Sequence, residues 1–198
     1  MTFDDSAIDD MMFDDEIADW RRPPGYFVLA PIGGPAAAII KELQLRYDPK
    51  LAAGHPPHLT LTGSSGVGPI VPGTPPEELQ WRLAAVAAAM PALSLPFGVP
   101  HRFMQTNVVS LPLDPHGPIR ALHERIIRCG LPFGPSRFTF TPHVTLNLYR
   151  TLTPDSMRAL LSVRVRELAV IDRLVVTATD DPRPPRTVLE LPLRGTGS

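Results

Sequence analysis

Two short segments of the sequence share one five-residue pattern: a proline, a histidine, an aliphatic residue, a threonine and a leucine. The first copy is Pro57-His58-Leu59-Thr60-Leu61 and the second is Pro142-His143-Val144-Thr145-Leu146. An imidazole has an unperturbed pKa near ~6.5, so it can accept or donate a proton close to neutral pH. A threonine hydroxyl two residues further on can donate a hydrogen bond to an anionic oxygen. The pattern is therefore typical of a site that transfers protons at a phosphate.

Strand alternation decides which side chains of each motif share a face. We predict a short strand over His58–Thr62 and a long strand over Arg137–Tyr149. The polar face of the long strand would carry Arg137, Thr139, Thr141, His143, Thr145, Asn147 and Tyr149. Its apolar face would carry Phe138, Phe140, Pro142, Val144, Leu146 and Leu148. Because so many polar groups are costly to bury without partners, we expect their face to line water or a ligand.

The order of elements around the two motifs also repeats. Val28–Pro31 leads through a helix to the first motif, and Val108–Pro112 leads through a helix to the second. Two lobes related by a pseudo-two-fold axis would bring the motif strands together. We therefore predict an α+β fold of two pseudo-symmetric lobes, each a mostly antiparallel sheet with helices on the outside, and a central cleft between them.

A single His-x-Thr is expected by chance, so the duplication is what gives the motif weight. The competing interpretation is a pair of core histidines hydrogen-bonded to neighbouring threonines. Two copies at corresponding points of a structural repeat favour the functional interpretation.

Hydrophobic periodicity and turn residues predict the remaining elements. Helices are expected over 35–46, 77–90, 118–129 and, from an N-cap at Thr153, to Ser162. Further strands are expected over 26–30, 93–99, 107–113, 168–177 and 187–193, the last two as a hairpin across 180–183.

Composition and charge divide the chain in two. The first 20 residues contain eight acidic residues and no Lys or Arg, whereas the rest carries 12 acidic and 19 basic residues, a net charge of +7. We expect residues 1–24 to form a disordered acidic tail and residues 25–198 to form a single two-lobed domain. A basic body suits an anionic substrate, and the tail is either a solvated leader or a screen for the basic surface.

Other bulk features exclude several protein classes. No stretch of 18 or more apolar residues is present, and the acidic start does not resemble a secretory signal, so we expect a cytoplasmic protein. The single cysteine, Cys129, cannot form an internal disulfide or a cysteine metal site.

The paired HLTL (58–61) and HVTL (143–146) motifs resemble those of the 2H phosphoesterase superfamily, in particular its 2′-5′ RNA ligase-like and RNA 2′,3′-cyclic phosphodiesterase branch. The resemblance covers about residues 25–194. It implies that His58 and His143 are the catalytic pair, that Thr60 and Thr145 contact the phosphate, and that no metal or other cofactor is needed. The first motif departs from the family by running directly into the loop Gly63–Gly66.

Other residues are weaker candidates for substrate contacts. Arg137 is a candidate phosphate ligand, Tyr26, Phe103 and Tyr149 could stack on a base, and Asn147 lies on the predicted catalytic face. Arg102 could reach a phosphate from a loop. We expect His101, His116 and His123 to be surface residues.

Three functions remain open from the sequence. The first is hydrolysis of a 2′,3′-cyclic phosphate of RNA or a nucleotide, with 2′-5′ ligation as the reverse reaction. The second is a phosphodiesterase acting on another small phosphate, such as an ADP-ribose derivative. The third is a non-catalytic module that binds RNA or nucleotide phosphates. In each case we expect a monomer that binds no membrane.

Overall fold

The structure, a computed structural model, describes residues 23–104, 106–114, 116–180 and 183–196. Most of the predicted acidic tail, residues 1–22, lies outside the described residues. The helices are α1 (Gly34–Tyr47), α2 (Pro49–Gly54), α3 (Pro76–Ala88), α4 (Pro118–Ile127) and α5 (Pro154–Ser162). The strands are β1 (Gly25–Pro31), β2 (His58–Thr62), β3 (Leu93–Leu95), β4 (His101–Arg102), β5 (Val109–Pro112), β6 (His143–Asn147), β7 (Ala169–Ile171), β8 (Arg173–Asp180) and β9 (Arg183–Pro192).

Proline marks the start of every one of these five helices. The residue suits the first turn because N–H groups there have no partner within the helix and its fixed φ is already helical. Helix α5 adds a capping box: the amide of Ser156 donates to Thr153 Oγ1 at 3.2 Å, and the amide of Thr153 donates to Ser156 Oγ at 2.8 Å. The predicted N-cap at Thr153 is confirmed.

A seven-stranded sheet organises the fold, in the order β4-β5-β6-β2-β1-β8-β9, with every pair antiparallel. Strands β3 and β7 form a separate two-stranded sheet. Strands β1, β2, β8 and β9 make up the first lobe, and β4, β5 and β6 make up the second. The two lobes join where β2 pairs with β6.

The internal repeat holds at the level of strand register. In the first lobe Pro31 pairs with His58, and in the second lobe Pro112 pairs with His143. Two residues further along, Thr60 pairs with Leu29 and Thr145 pairs with Ser110. The predicted α+β class with two pseudo-symmetric antiparallel lobes is confirmed.

One helix from each lobe packs against the motif strand of the other lobe. The core side of β2 and β6 carries Leu59, Leu61, Val144 and Leu146, all 0% exposed. Helix α1 of the first lobe packs against β6, and α4 of the second lobe packs against β2. Each contact includes a hydrogen bond to the strand backbone. Gln44 Nε2 donates to the carbonyl of Thr145 at 2.8 Å, and His123 Nδ1 donates to the carbonyl of Leu61 at 2.7 Å.

The predicted strand over Arg137–Tyr149 is wrong in extent, since β6 covers only His143–Asn147. Pairing with β5 begins at Pro112 opposite His143, so the preceding residues have no neighbouring strand on that side. Pro142 also lacks the N–H that a ladder would need. Phe138, predicted to face the core, is 53% exposed.

Two other predicted strands change in extent. The strand predicted over 93–99 is limited to β3, and the strand predicted over 168–177 is divided into β7 and β8, which belong to different sheets. The hairpin predicted near the carboxyl end is confirmed as β8 and β9. Among the described residues, no helix is long and apolar enough to cross a membrane.

Candidate active site

The two motif strands lie side by side, with Leu59 of β2 paired to Val144 of β6. Continuing this antiparallel register places Thr145 opposite His58 and Thr60 opposite His143. Residues directly opposite each other share a face. His58, Thr60, His143 and Thr145 are all half-buried and lie on the side of the sheet away from the core. We call these four residues the histidine face.

The register also sets the spacing of the two imidazoles. His58 and His143 are diagonal neighbours, and residues in that relation are about 7–8 Å apart, with their Cβ atoms somewhat closer. Side chains at this spacing can contact two oxygens of one bound phosphate from different sides.

Both imidazoles are held by the same local contact. His58 Nδ1 lies 2.8 Å from the carbonyl oxygen of Pro56, and His143 Nδ1 lies 2.6 Å from the carbonyl oxygen of Thr141. In each case the carbonyl belongs to the residue two positions earlier. A carbonyl can only accept, so each Nδ1 carries a hydrogen and donates it. Nε2 is then the ring nitrogen that can exchange a proton with a ligand.

An aromatic ring contacts each imidazole edge-on. The His55 ring lies 5.6 Å from that of His58, and the Phe103 ring lies 5.1 Å from that of His143. Phe103 also contacts His101 at 5.1 Å, and His101 Nε2 lies 3.4 Å from Ser110 Oγ. These contacts restrict the ring orientations, as proton transfer requires.

Burial lowers the pKa of His143 below its ordinary value, and the charge of His101 lowers it further. The hydrogen bond to Thr141 acts in the opposite direction and is outweighed. His143 is therefore neutral over a wider pH range than a solvent-exposed histidine. A neutral imidazole is the form that can act as a general base.

A family model described as the 2′-5′ RNA ligase superfamily matches residues 33–177, well over half of the chain. The chain belongs to this superfamily. The resemblance drawn from the paired motifs is confirmed. Membership assigns the chain to enzymes of the phosphoesterase and RNA ligase type.

Solved structures show the same fold. TT0787 of Thermus thermophilus is 16% identical with a TM-score of 0.59, and the match covers 87% of this chain and 99% of that one. LigT of E. coli complexed with 3′-AMP is 17% identical with a TM-score of 0.51, covering 86% and 98%. LigT in its apo form is 18% identical with a TM-score of 0.52, covering 86% and 97%. A search of curated protein sequences finds no significant match.

Arg137 and Tyr149 lie near the ends of β6 in this superfamily member, not on the strand itself. Arg137 is exposed in a loop before β6, where Gly66 donates its amide to the Phe138 carbonyl at 2.8 Å. Tyr149 is 36% exposed just after β6, with the Lys50 ammonium 4.1 Å from its ring centroid. The two residues lie in loops at opposite ends of the strand. Their roles as substrate contacts remain predictions.

Tyr26 and Asn147 are placed less favourably for substrate binding. Tyr26 packs against the hydrophobic core and shares a strand face with the fully buried Val28. Asn147 is 0% exposed, and its Nδ2 donates to the carbonyls of Asn107 and Tyr149 at 3.0 and 2.8 Å. These positions favour structural roles for both residues.

Three other residues have locations that the sequence did not indicate. His123 is 3% exposed, so its predicted surface position is wrong. Arg102, predicted in a loop, is on β4 and donates to the carbonyl of Thr106. Phe103 lies at the site, where its ring contacts the imidazole of His143.

Asp48 is a buried residue that the sequence reasoning missed. It is 0% exposed and caps α2 by accepting from the amide of Leu51 at 3.0 Å. Its other oxygen accepts from the amides of Leu148 and Tyr149 at 2.8 and 2.9 Å. The carboxylate therefore ties the first lobe to the chain that leaves β6. A signal for it was present, because Asp48 stands directly before Pro49 at the start of α2.

Proposed function

We propose that the protein is a metal-independent phosphoesterase that hydrolyses a 2′,3′-cyclic phosphate of RNA or a nucleotide by two-histidine acid–base catalysis. The observation that supports this most directly is the pairing of β2 with β6, which places His58, Thr60, His143 and Thr145 on one face.

In the proposed reaction, water attacks the phosphorus of the cyclic phosphate. Nε2 of His143 removes a proton from that water, and Nε2 of His58, protonated at the start, donates a proton to the departing ribose oxygen. The P–O bond to that oxygen breaks, the ring opens, and a phosphomonoester with a free hydroxyl remains. The lowered pKa of His143 supports its assignment as the base.

The hydroxyls of Thr60 and Thr145 are proposed to donate to the non-bridging phosphate oxygens. Fixed donors of this kind stabilise the negative charge that builds up in the transition state. In the described ranges, no group of three or more His, Cys, Asp or Glu residues is arranged to hold a metal. We propose that 2′-5′ ligation uses the same chemistry, with a 5′-hydroxyl attacking the phosphorus of the cyclic phosphate in place of water. The 3′-oxygen of the ribose then departs and takes the proton, which leaves a 2′-5′ phosphodiester.

A nucleotide ligand is also consistent with the superfamily, since LigT has been solved in complex with 3′-AMP. For this chain we propose an RNA or nucleotide ligand, a monomeric state and a cytoplasmic location.

The test is a turnover assay of the full chain on 2′,3′-cyclic nucleotides in EDTA, followed by separation of the nucleotide products. The matched control is the His58→Ala/His143→Ala double variant prepared in the same way. We expect the wild type to hydrolyse the cyclic nucleotide at the same rate with and without EDTA. The double variant should show no hydrolysis. Tight nucleotide binding without turnover would instead identify a binding module. A parallel assay on ADP-ribose derivatives tests the other phosphodiesterase, which turnover of those compounds alone would identify. Activity lost in EDTA and restored by zinc or manganese would contradict the metal-independent mechanism.

A further inference from the structure

A surface groove of about 610 Å³ lies between α3 and α4. Ala85, Val86, Ala121 and Cys129 give it an apolar lining. None of the four residues of the histidine face lines it, so the groove is separate from the candidate active site. We call it the α3–α4 groove.

The rim of the α3–α4 groove combines an exposed aromatic side chain with cations. Trp81 is 65% exposed, and the Arg82 guanidinium lies 4.4 Å from the centroid of its ring. Arg125 and Arg128 line the other side. Tryptophan and arginine are the residue types most often found at energetically important positions of interfaces. An exposed indole beside arginines therefore indicates a binding surface for an acidic segment that also carries apolar side chains.

The groove keeps a positive charge after its own ion pairs are taken into account. Glu78 lies 3.8 Å from Arg82, and Glu124 lies 3.3 Å from Arg128. The groove and its ion pairs thus contain two carboxylates and three guanidinium groups, which leaves one positive charge in excess. Both pairs are partly exposed, and pairs of that kind bind only weakly, so an incoming carboxylate can compete for the same arginines.

The chain itself contains a segment of matching chemistry in residues 9–20. Its apolar side chains include Met12, Phe13, Ile17 and Trp20, and its acidic side chains are Asp9, Asp10, Asp14, Asp15, Glu16 and Asp19. Phe13, Ile17 and Trp20 recur at intervals of four and three residues. We propose that this segment docks in the α3–α4 groove, with carboxylates beside the three arginines and apolar side chains against Trp81 and the apolar lining.

The attachment point of the segment lies within reach of the groove. The carbonyl of Pro23 accepts a hydrogen bond from Thr179 Oγ1 of β8 at 2.9 Å. Strand β8 pairs with β9, and α3 packs against β9. Met12 is separated from Pro23 by a length of chain that can extend to about 36 Å. Tyr26, three residues after Pro23, donates its amide to the carbonyl of Ile70 at 2.9 Å, and Val71 donates its amide to the carbonyl of Pro132 at 3.0 Å. Pro132 is three residues past Cys129 of the groove, so this length of chain allows Met12 to reach the groove.

A disulfide trap in the full chain tests this docking, because Cys129 is the only cysteine and lines the groove. The variant is Met12→Cys, and the measurement is the rate at which an intramolecular disulfide forms under mild oxidation. Burial raises the pKa of the Cys129 thiol, so the reaction is run at alkaline pH, where the reactive thiolate is populated. Met12→Cys with Cys129→Ala is the control for disulfides between molecules.

A tether alone raises the local concentration of the introduced thiol, so the informative quantity is the dependence of the rate on charge. Arg125→Glu/Arg128→Glu should slow the reaction about tenfold, as should high salt. Adding Asp14→Lys/Asp15→Lys to the charge-reversed groove should restore the rate. The proposal would be overturned if the rate does not change with the charge of the groove. It would also be overturned if Asp14→Lys/Asp15→Lys does not restore the rate lost in Arg125→Glu/Arg128→Glu. The trap does not depend on turnover, so its outcome is independent of the proposed phosphoesterase activity.

Discussion

The two motif histidines have matching local contacts but different surroundings. Each donates Nδ1–H to the carbonyl two residues earlier. His143 lies against Phe103, with His101 beyond that ring, whereas His58 lies against His55. The pKa of His143 is lowered mainly by burial. This asymmetry is the physical reason to assign His143 as the base and His58 as the acid.

The pH dependence of kcat/KM should report this asymmetry. A base works only when it is unprotonated, so activity is lost as the pH falls through the pKa of His143. Because that pKa is lowered, the acid limb of a bell-shaped profile should lie below ~6.5, the ordinary histidine value. His101→Asn removes a charge that contributes to the lowering and should move the acid limb to higher pH. An acid limb well above ~6.5 would contradict the assignment.

The two threonines of the histidine face can be tested without changing their shape. Thr60→Val and Thr145→Val each remove one hydroxyl donor and should lower kcat on a 2′,3′-cyclic nucleotide by about 10²–10³-fold. Thr187→Val, at an exposed position on β9, is the matched control and should leave kcat unchanged. Wild-type kcat in both site variants would remove the threonines from the proposed mechanism.

At the scale of elements, the alternation in the two motifs was sufficient to predict which side chains face away from the core. His58 and Thr60 are half-buried while Leu59 is 0% exposed, as a regular strand requires. The same reasoning failed over residues 137–142, because alternation describes a single strand and contains no information about where a partner strand ends. Only the pairing of Pro112 with His143 fixes the start of β6.

The buried histidine of α4 could have been found from helical spacing. Helix α4 begins its buried face at Ile119. The residues three, four and seven positions later are also buried, as expected for one face of a helix: Leu122, His123 and Ile126. The spacing predicts that His123 faces the core. What it could not predict is the bonding partner, the Leu61 carbonyl on the motif strand of the other lobe.

His123→Leu should destabilise the fold and change its pH dependence. At neutral pH the loss of a partner for the Leu61 carbonyl should cost about 1–3 kcal/mol of unfolding free energy. Burial lowers the pKa of His123 in the folded state, so the unfolded chain binds protons more readily. Wild-type stability should therefore fall as the pH drops below ~6.5, and the variant should lose less over that range.

Urea denaturation at neutral pH and near pH ~5.5 measures both effects of this substitution. His116→Leu is the control, because His116 is exposed and its loss should change stability by less than about 0.5 kcal/mol. His143 also has a lowered pKa, so some acid sensitivity should remain in the variant. An identical pH slope in the wild type and His123→Leu would show that His123 makes no contribution.

At the scale of the whole molecule, charge is distributed unevenly along the chain. The first 20 residues hold eight of the 20 acidic residues, although the net charge is only −1. Sequence alone could identify this division, because it depends on composition. It could not indicate the α3–α4 groove, whose lining comes from two helices that meet only in the fold.

Deleting residues 1–22 should leave the fold and turnover intact and strengthen RNA binding at low salt. The reason is that an acidic segment is removed from a basic body, and the gain should disappear as salt screens the charges. Binding titrations at several salt concentrations measure this. An unchanged salt dependence would show that the segment has no electrostatic role, and an unfolded product would show that it is structural.

The acid–base pair is tested most directly by comparing His58→Ala and His143→Ala on two substrates. A nitrophenyl phosphodiester has a leaving group that departs without protonation, whereas the ribose oxygen of a 2′,3′-cyclic nucleotide needs a proton. On the cyclic nucleotide each variant should lose about 10²–10⁴-fold in turnover. On the nitrophenyl ester His143→Ala should lose as much, and His58→Ala far less. Near-wild-type turnover of the cyclic nucleotide by either variant would contradict the two-histidine mechanism.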